Sequence, residues 1–159
     1  MKPELEIQSP AVFVAAPFTA LIDLSSGSVP ETNPVRVKMS GICAALKAGG
    51  FHVFSAHERE DWGRNLFPPD RALRVDLEWL DRADALVAEI GDPPSPGVQF
   101  ELGYFIARKK PILICSRTSE PLPYLAQGLR ANAQVSFLPA SSKEVSLLVL
   151  DWARAMLLK

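Results

Sequence analysis

Cysteine is scarce in this chain: two residues in 159, Cys43 and Cys115. Their spacing fits no metal site, and one falls in an expected helix and the other in an expected strand. Buried, reduced thiols are the reading this favours. No apolar run approaches the roughly 20 residues of a membrane span. The first ten residues, MKPELEIQSP, carry acids where a signal peptide carries an apolar stretch. Long basic runs are lacking as well, and the formal net charge is −1, which argues against a nucleic-acid partner. These absences predict a cytoplasmic protein that neither spans a membrane nor grips a phosphodiester backbone. What the chain does have is apolar side chains, 48% of its residues. That suffices for one globular domain, 1–159, with a core of its own.

Short apolar runs alternate with longer amphipathic ones. Residues 11–16, 51–55, 83–89, 111–116 and 134–138 read as strands, rich in β-branched residues as in a sheet covered on both faces. Helical patterns lie near 34–48, 69–82, 98–109 and 121–131, and a last one over 141–158 opens with Ser141 or Ser142 as N-cap. The alternation predicts an α/β fold: a single doubly wound, five-stranded parallel sheet, flavodoxin- or Rossmann-like, with strand order 2-1-3-4-5. Residues 23–35 form a long irregular stretch, the kind that serves as a lid or mobile segment.

Ligands of such sheets bind beyond the carboxyl ends of the strands. This selects residues 16–23, 55–63, 89–101 and 116–124, which are also the most polar parts of the chain. In the third segment, DPPSPGVQFE, prolines 93 and 94 end the strand, Ser95 suits an N-cap and Pro96 the first helical position. Gly97 lets the backbone approach a ligand closely. The free N–H groups of that first turn favour an anion, although an ordinary capped helix would look the same. Glu101 flanks the apolar stripe Val98, Leu102, Phe105 and Ile106. It is either an acid favoured by the helix dipole or a carboxylate nucleophile or base beside a bound anion. Asp76 falls among the apolar positions of its helix. It is either an acceptor for backbone N–H groups or a site residue. Phe18, just past the first strand, could stack on a planar base or pack at a rim. His57, just past the second, is a loop histidine of structural or ligand-binding kind; His52 has no assigned role. Trp62 either closes a pocket or fills core.

These residues together resemble the nucleoside 2-deoxyribosyltransferase superfamily. The resemblance rests on SPGVQFELGYFIARKKPILI, on RVDLEWLDRADALVAEI, on VFVAAPF and on AHEREDWG, and covers residues 11 to 138. Within the superfamily it is greatest to the nucleoside 5′-monophosphate N-glycosidases, including pyrimidine-nucleotide hydrolases of the mildiomycin-pathway hydroxymethyl-CMP type. It implies Glu101 as nucleophile, Asp76 as the aspartate that handles sugar and leaving group, Ser95 as phosphate ligand, Phe18 or Phe13 against the base, and His57 at the end of strand two. The transferases of free nucleosides carry an aspartate where this chain has Ser95. A carboxylate would repel a phosphate and a hydroxyl would attract it, which favours a nucleotide substrate. Two departures stand out. Thr19 follows Phe18 where the hydrolases have an arginine, and Pro123 or Tyr124 replaces a serine donated by the neighbouring subunit, with Tyr124 or Arg117 as substitutes.

The implied reaction is hydrolysis of an N-glycosidic bond through a glycosyl-enzyme on Glu101, with no metal or organic cofactor, in a homodimer or larger assembly. Base exchange by a transferase and nucleotide binding without turnover are the alternatives.

Overall fold

A computed structural model of the chain describes residues 9–116, 122, 124–132, 134–139 and 144–158. Five strands form one parallel sheet: β1 (Ala11–Ala15), β2 (His52–Phe54), β3 (Ala85–Ala88), β4 (Ile112–Ser116) and β5 (Val135–Pro139), ordered β2-β1-β3-β4-β5. This is the expected order, with the chain reversing direction between β1 and β3. The helices are α1 (Pro34–Ala48), α2 (Ala56–Arg59), α3 (Pro69–Arg82), α4 (Pro96–Ala107), α5 (Tyr124–Gln127) and α6 (Val145–Leu157).

Alternation along each strand sends side chains to two cores. Val12, Val14, Val87 and Leu113 meet Met39, Ile42 and Leu46 of α1 and Val149 and Ala153 of α6. Phe13, Ala15, Leu86 and Ile112 meet Leu80 of α3 and Val98, Leu102 and Phe105 of α4. Each such large apolar side chain, removed from water, stabilises the fold by ~1.5–3 kcal/mol. Cys43 and Cys115 lie in the first core, and burial pushes both thiols up to about 12. No helix among the described residues is long and apolar enough to cross a membrane.

Several elements differ from expectation for local reasons. α4 begins at Pro96 rather than 98, because proline suits the first helical position. It ends at Ala107 because Lys109 turns left-handed, φ 56°. The expected helix 121–131 contracts to α5 and a 3-10 turn over Gly128–Ala131, broken where glycine enters. Ser141 and Ser142 lie outside the described residues. The 23–35 stretch is a pinned turn rather than a free lid. Asp23 accepts from the N–H groups of Ser25 and Ser26, Val29 is buried and donates to the Trp62 carbonyl at 2.8 Å, and Asn33 caps α1.

Candidate active site

The crevice beyond the carboxyl ends of β1 and β3 holds a cavity of about 1120 Å³. Phe18 and Thr19 wall it from the β1 loop, Lys38 from α1, Glu89 and Asp92 from the β3 loop, and Ser95 from the start of α4. The two loops touch. Gly91 adopts φ 87°, and a Cβ there would lie 2.4 Å from Pro17 Cγ. Only glycine permits this approach.

Ser95 holds the N-cap position of α4, but its hydroxyl makes no capping bond. Among the described residues nothing accepts from the Gly97 and Val98 N–H groups either, and Pro96 has no N–H to offer. The Ser95 N–H donates to the Ile90 carbonyl at 2.8 Å, so it is the Ser95 hydroxyl and the Gly97 and Val98 amides that can meet an anion. A Cβ on Gly97 would meet only Ser95 Oγ, at 3.8 Å, so the space beside the turn is open.

Glu101 follows Ser95 by six residues, about 9 Å along the helix axis. Helical side chains lean toward the N-terminus, which brings its carboxyl back over the Gly97 turn. Glu101 is half-buried, and no cation pairs with it among the described residues. Burial first, and the negative charge of Asp76 second, push its carboxyl up to about 8. Asp76, half-buried on α3, faces it from the neighbouring helix. Burial raises this carboxyl too, while Arg59 works against the shift. The Arg59 guanidinium donates from Nη1 to Asp76 Oδ1 at 2.7 Å and also pairs with Glu60. Asp76 thus accepts from a guanidinium, not from the backbone N–H groups that one sequence reading allowed. Glu101 and Asp76 are not on the walls of the large cavity; they lie on the α3–α4 side of the sheet.

The remaining sequence candidates separate clearly. Phe13 is buried against Phe54 in the core and is unavailable to a base; Phe18 is the aromatic that faces the cavity. His57 is also buried and does not wall the cavity. Its Nε2–H donates to the Ala16 and Pro17 carbonyls at 3.1 and 3.3 Å, which only accept, so Nδ1 accepts from the Ser55 hydroxyl at 3.2 Å. The imidazole packs between Phe18 and Trp62, with ring centroids 4.8 and 4.9 Å away. Burial lowers its pKa and keeps it neutral. With both nitrogens engaged, it brackets the β1 loop. Trp62 fills core from a left-handed turn, φ 53°. Tyr124 is 86% exposed at the start of α5 and away from the cavity. Pro123 and Arg117 lie outside the described residues.

Sequence reasoning missed Arg59, Lys38 and Glu89. The last had a signal, an acid closing an apolar strand at its ligand-binding end. Arg59 lies in the AHEREDWG stretch, but nothing local points to its partner Asp76, 17 residues away.

Comparisons with known proteins identify the family and the fold. A family model described as nucleoside 2-deoxyribosyltransferase matches residues 35–148. A protein of Syntrophotalea carbinolica provisionally named 2′-deoxynucleoside 5′-phosphate N-hydrolase 1 is 37% identical over 90 residues, 55% of this chain and 63% of that one. The 5-hydroxymethyl-dUMP N-hydrolase of Rattus norvegicus is 43% identical over 67 residues, 42% of this chain and 40% of that one. The matched stretches thus span between about two fifths and three fifths of these curated relatives. The solution structure of BlsM superposes with a TM-score of 0.72 at 30% identity, covering 94% of this chain and 90% of the other. A Clostridium botulinum CMP N-glycosidase, BcmB, shares the fold with a TM-score of 0.63 at 21% identity, over 88% and 98% of the two chains.

Proposed function

Because the chain belongs to the nucleoside 2-deoxyribosyltransferase family, we propose that it hydrolyses the N-glycosidic bond of a nucleoside 5′-monophosphate, releasing free base and (deoxy)ribose 5-phosphate. The observation that carries this reading is the uncapped, serine-led first turn of α4, followed at helical reach by a carboxyl that faces a second carboxyl. The substrate is a pyrimidine nucleotide, CMP-like. The names of the N-hydrolase relatives support a nucleotide N-glycosidase, and Ser95 in place of an acid favours a phosphorylated sugar.

In this mechanism the phosphate accepts from the Ser95 hydroxyl and the Gly97 and Val98 N–H groups, and the base lies against Phe18. Binding the remote phosphate positions the anomeric carbon. The ionised Glu101 carboxylate attacks that carbon, and the C–N bond breaks with its electron pair leaving on the base. The resulting ester is opened by water, whose oxygen bonds to the same carbon as Glu101 departs with its electron pair, and whose released proton ends on the departed base. Asp76, held by Arg59, accepts hydrogen bonds from the sugar. No metal or organic cofactor enters these steps. The protein acts in the cytoplasm as a homodimer in which Tyr124 meets the partner's substrate. Supporting this, α3 and α4 leave Leu73 and Phe100 about half exposed.

A second reading, base exchange by a transferase, draws on the description of the family model itself. The deciding experiment incubates the protein with a panel of ribo- and deoxyribonucleoside monophosphates and follows free base by chromatography, with and without a second base as acceptor. Free base from a pyrimidine monophosphate supports hydrolysis, and an exchanged nucleoside supports the transferase. If no base appears and Glu101→Ala binds nucleotide as tightly as the parent, the domain is a binding module.

A further inference from the structure

Arg59 occupies a constrained position. It leaves α2 and runs beside two aromatic rings, its guanidinium carbon 5.2 Å from the Phe54 centroid and 4.7 Å from that of Phe67. One terminal nitrogen bonds Asp76 and the other bonds Glu60, which is buried and accepts from the Phe67 N–H at 3.2 Å. A planar fork gripped in this way fixes both carboxylates in direction as well as in charge. The charged groups that act on one another here are Arg59 and Glu60 after β2, Asp76 on α3 and Glu101 on α4. The strands behind them present apolar side chains, among them Phe13, Ala15, Phe54, Leu86 and Ala88. Of the two facing acids, one therefore has a cation and the other, among the described residues, has none.

We propose that Arg59 is a positioning residue that holds Asp76 as an ionised acceptor and so makes Glu101 the member of the pair that gains and loses the proton. Asp76 then orients sugar hydroxyls and does not deliver a proton to the departing base. The desolvated state of Glu101 agrees with this division, since a carboxyl beside a fixed negative charge holds its proton longer. The inference deepens the reading above, and rests on it only for its kinetic arm.

The test follows the side-chain carboxyl resonances of Glu101 and Asp76 in carboxyl-labelled protein across pH, assigned with Glu101→Gln and Asp76→Asn. In the parent, Glu101 titrates in one step near 8 while Asp76 stays ionised. In Arg59→Met, the Asp76 midpoint rises by about one unit or more and the two carboxyls titrate together. Unchanged titrations in Arg59→Met overturn the proposal. Should that variant not fold, Asp76→Asn lowers the Glu101 midpoint, and adding Arg59→Lys to it moves Glu101 no further. A further move shows direct action on Glu101 and overturns the proposal as well. Because these readouts need no turnover, they stand even if no base is released. Where turnover is seen, Arg59→Met changes the shape of the pH profile of kcat/KM. An equal loss at every pH indicates a purely structural role and also overturns the proposal.

Discussion

Two half-buried glutamates stand near the same edge of the sheet, on opposite faces, in different company. On the α1 face Glu89, closing β3, pairs with Lys38, and both help wall the large cavity. On the α4 face Glu101 meets Asp76, another acid, and among the described residues no cation of its own. Burial is similar; the neighbour differs. The Lys38–Glu89 pair fixes a stretch of the cavity wall. A carboxyl opposite a like charge is held as an acid near neutrality, where a small change in surroundings releases a nucleophile.

The sharpest way to break this comparison is Glu101→Ala. It is expected to reduce base release by on the order of 10³-fold or more with the fold retained, because in the proposed mechanism Glu101 forms the glycosyl ester. Thermal melting and initial rates check this together.

Acidity comes next. If attack needs the ionised form, kcat/KM rises about tenfold per pH unit and levels off above about 8. Stability moves the other way. Folded, Glu101 keeps its proton to about 8, and unfolded it gives it up near 4.5. The contribution of this group is therefore complete below the lower value and lost as pH rises to the upper one. Glu101→Gln accordingly melts above the parent near pH 9 and close to it below pH ~4.5, as calorimetry would show.

A smaller effect is expected at the anion end. Ser95→Ala removes one charge-assisted hydrogen bond, raising KM for a nucleoside monophosphate ~10-fold with little change in kcat. A change confined to kcat would place the phosphate elsewhere. The smallest effect sharpens the contrast from the other side. Lys38→Met strands Glu89 and lowers stability by about 1–3 kcal/mol, less than for a fully buried pair. It leaves the pH midpoint of Glu101 in place; a moved midpoint would mean that the two faces are electrostatically one site.

Much of the frame was legible in the sequence because its causes are local. Pro34 and Pro69 open helices whose ends at Ala48 and Arg82 were read correctly, and five β-branched runs became five parallel strands. Phe13 against Phe18 was a matter of strand parity and resolves as core against cavity wall. The unread features join residues distant along the chain. His57 bonds carbonyls some 40 residues earlier, and Arg59 crosses from α2 to α3. Loop 23–35 looked free because what pins it, the Trp62 carbonyl, lies in another segment.

The near-contact of Gly91 with Pro17 bears on any redesign of specificity. With the rims of the mouth abutting at that point, a roomier entrance cannot be made by trimming one side alone. A variant meant to admit a bulkier heterocycle must rebuild both rims at once, and a selection that varies single positions would pass over it.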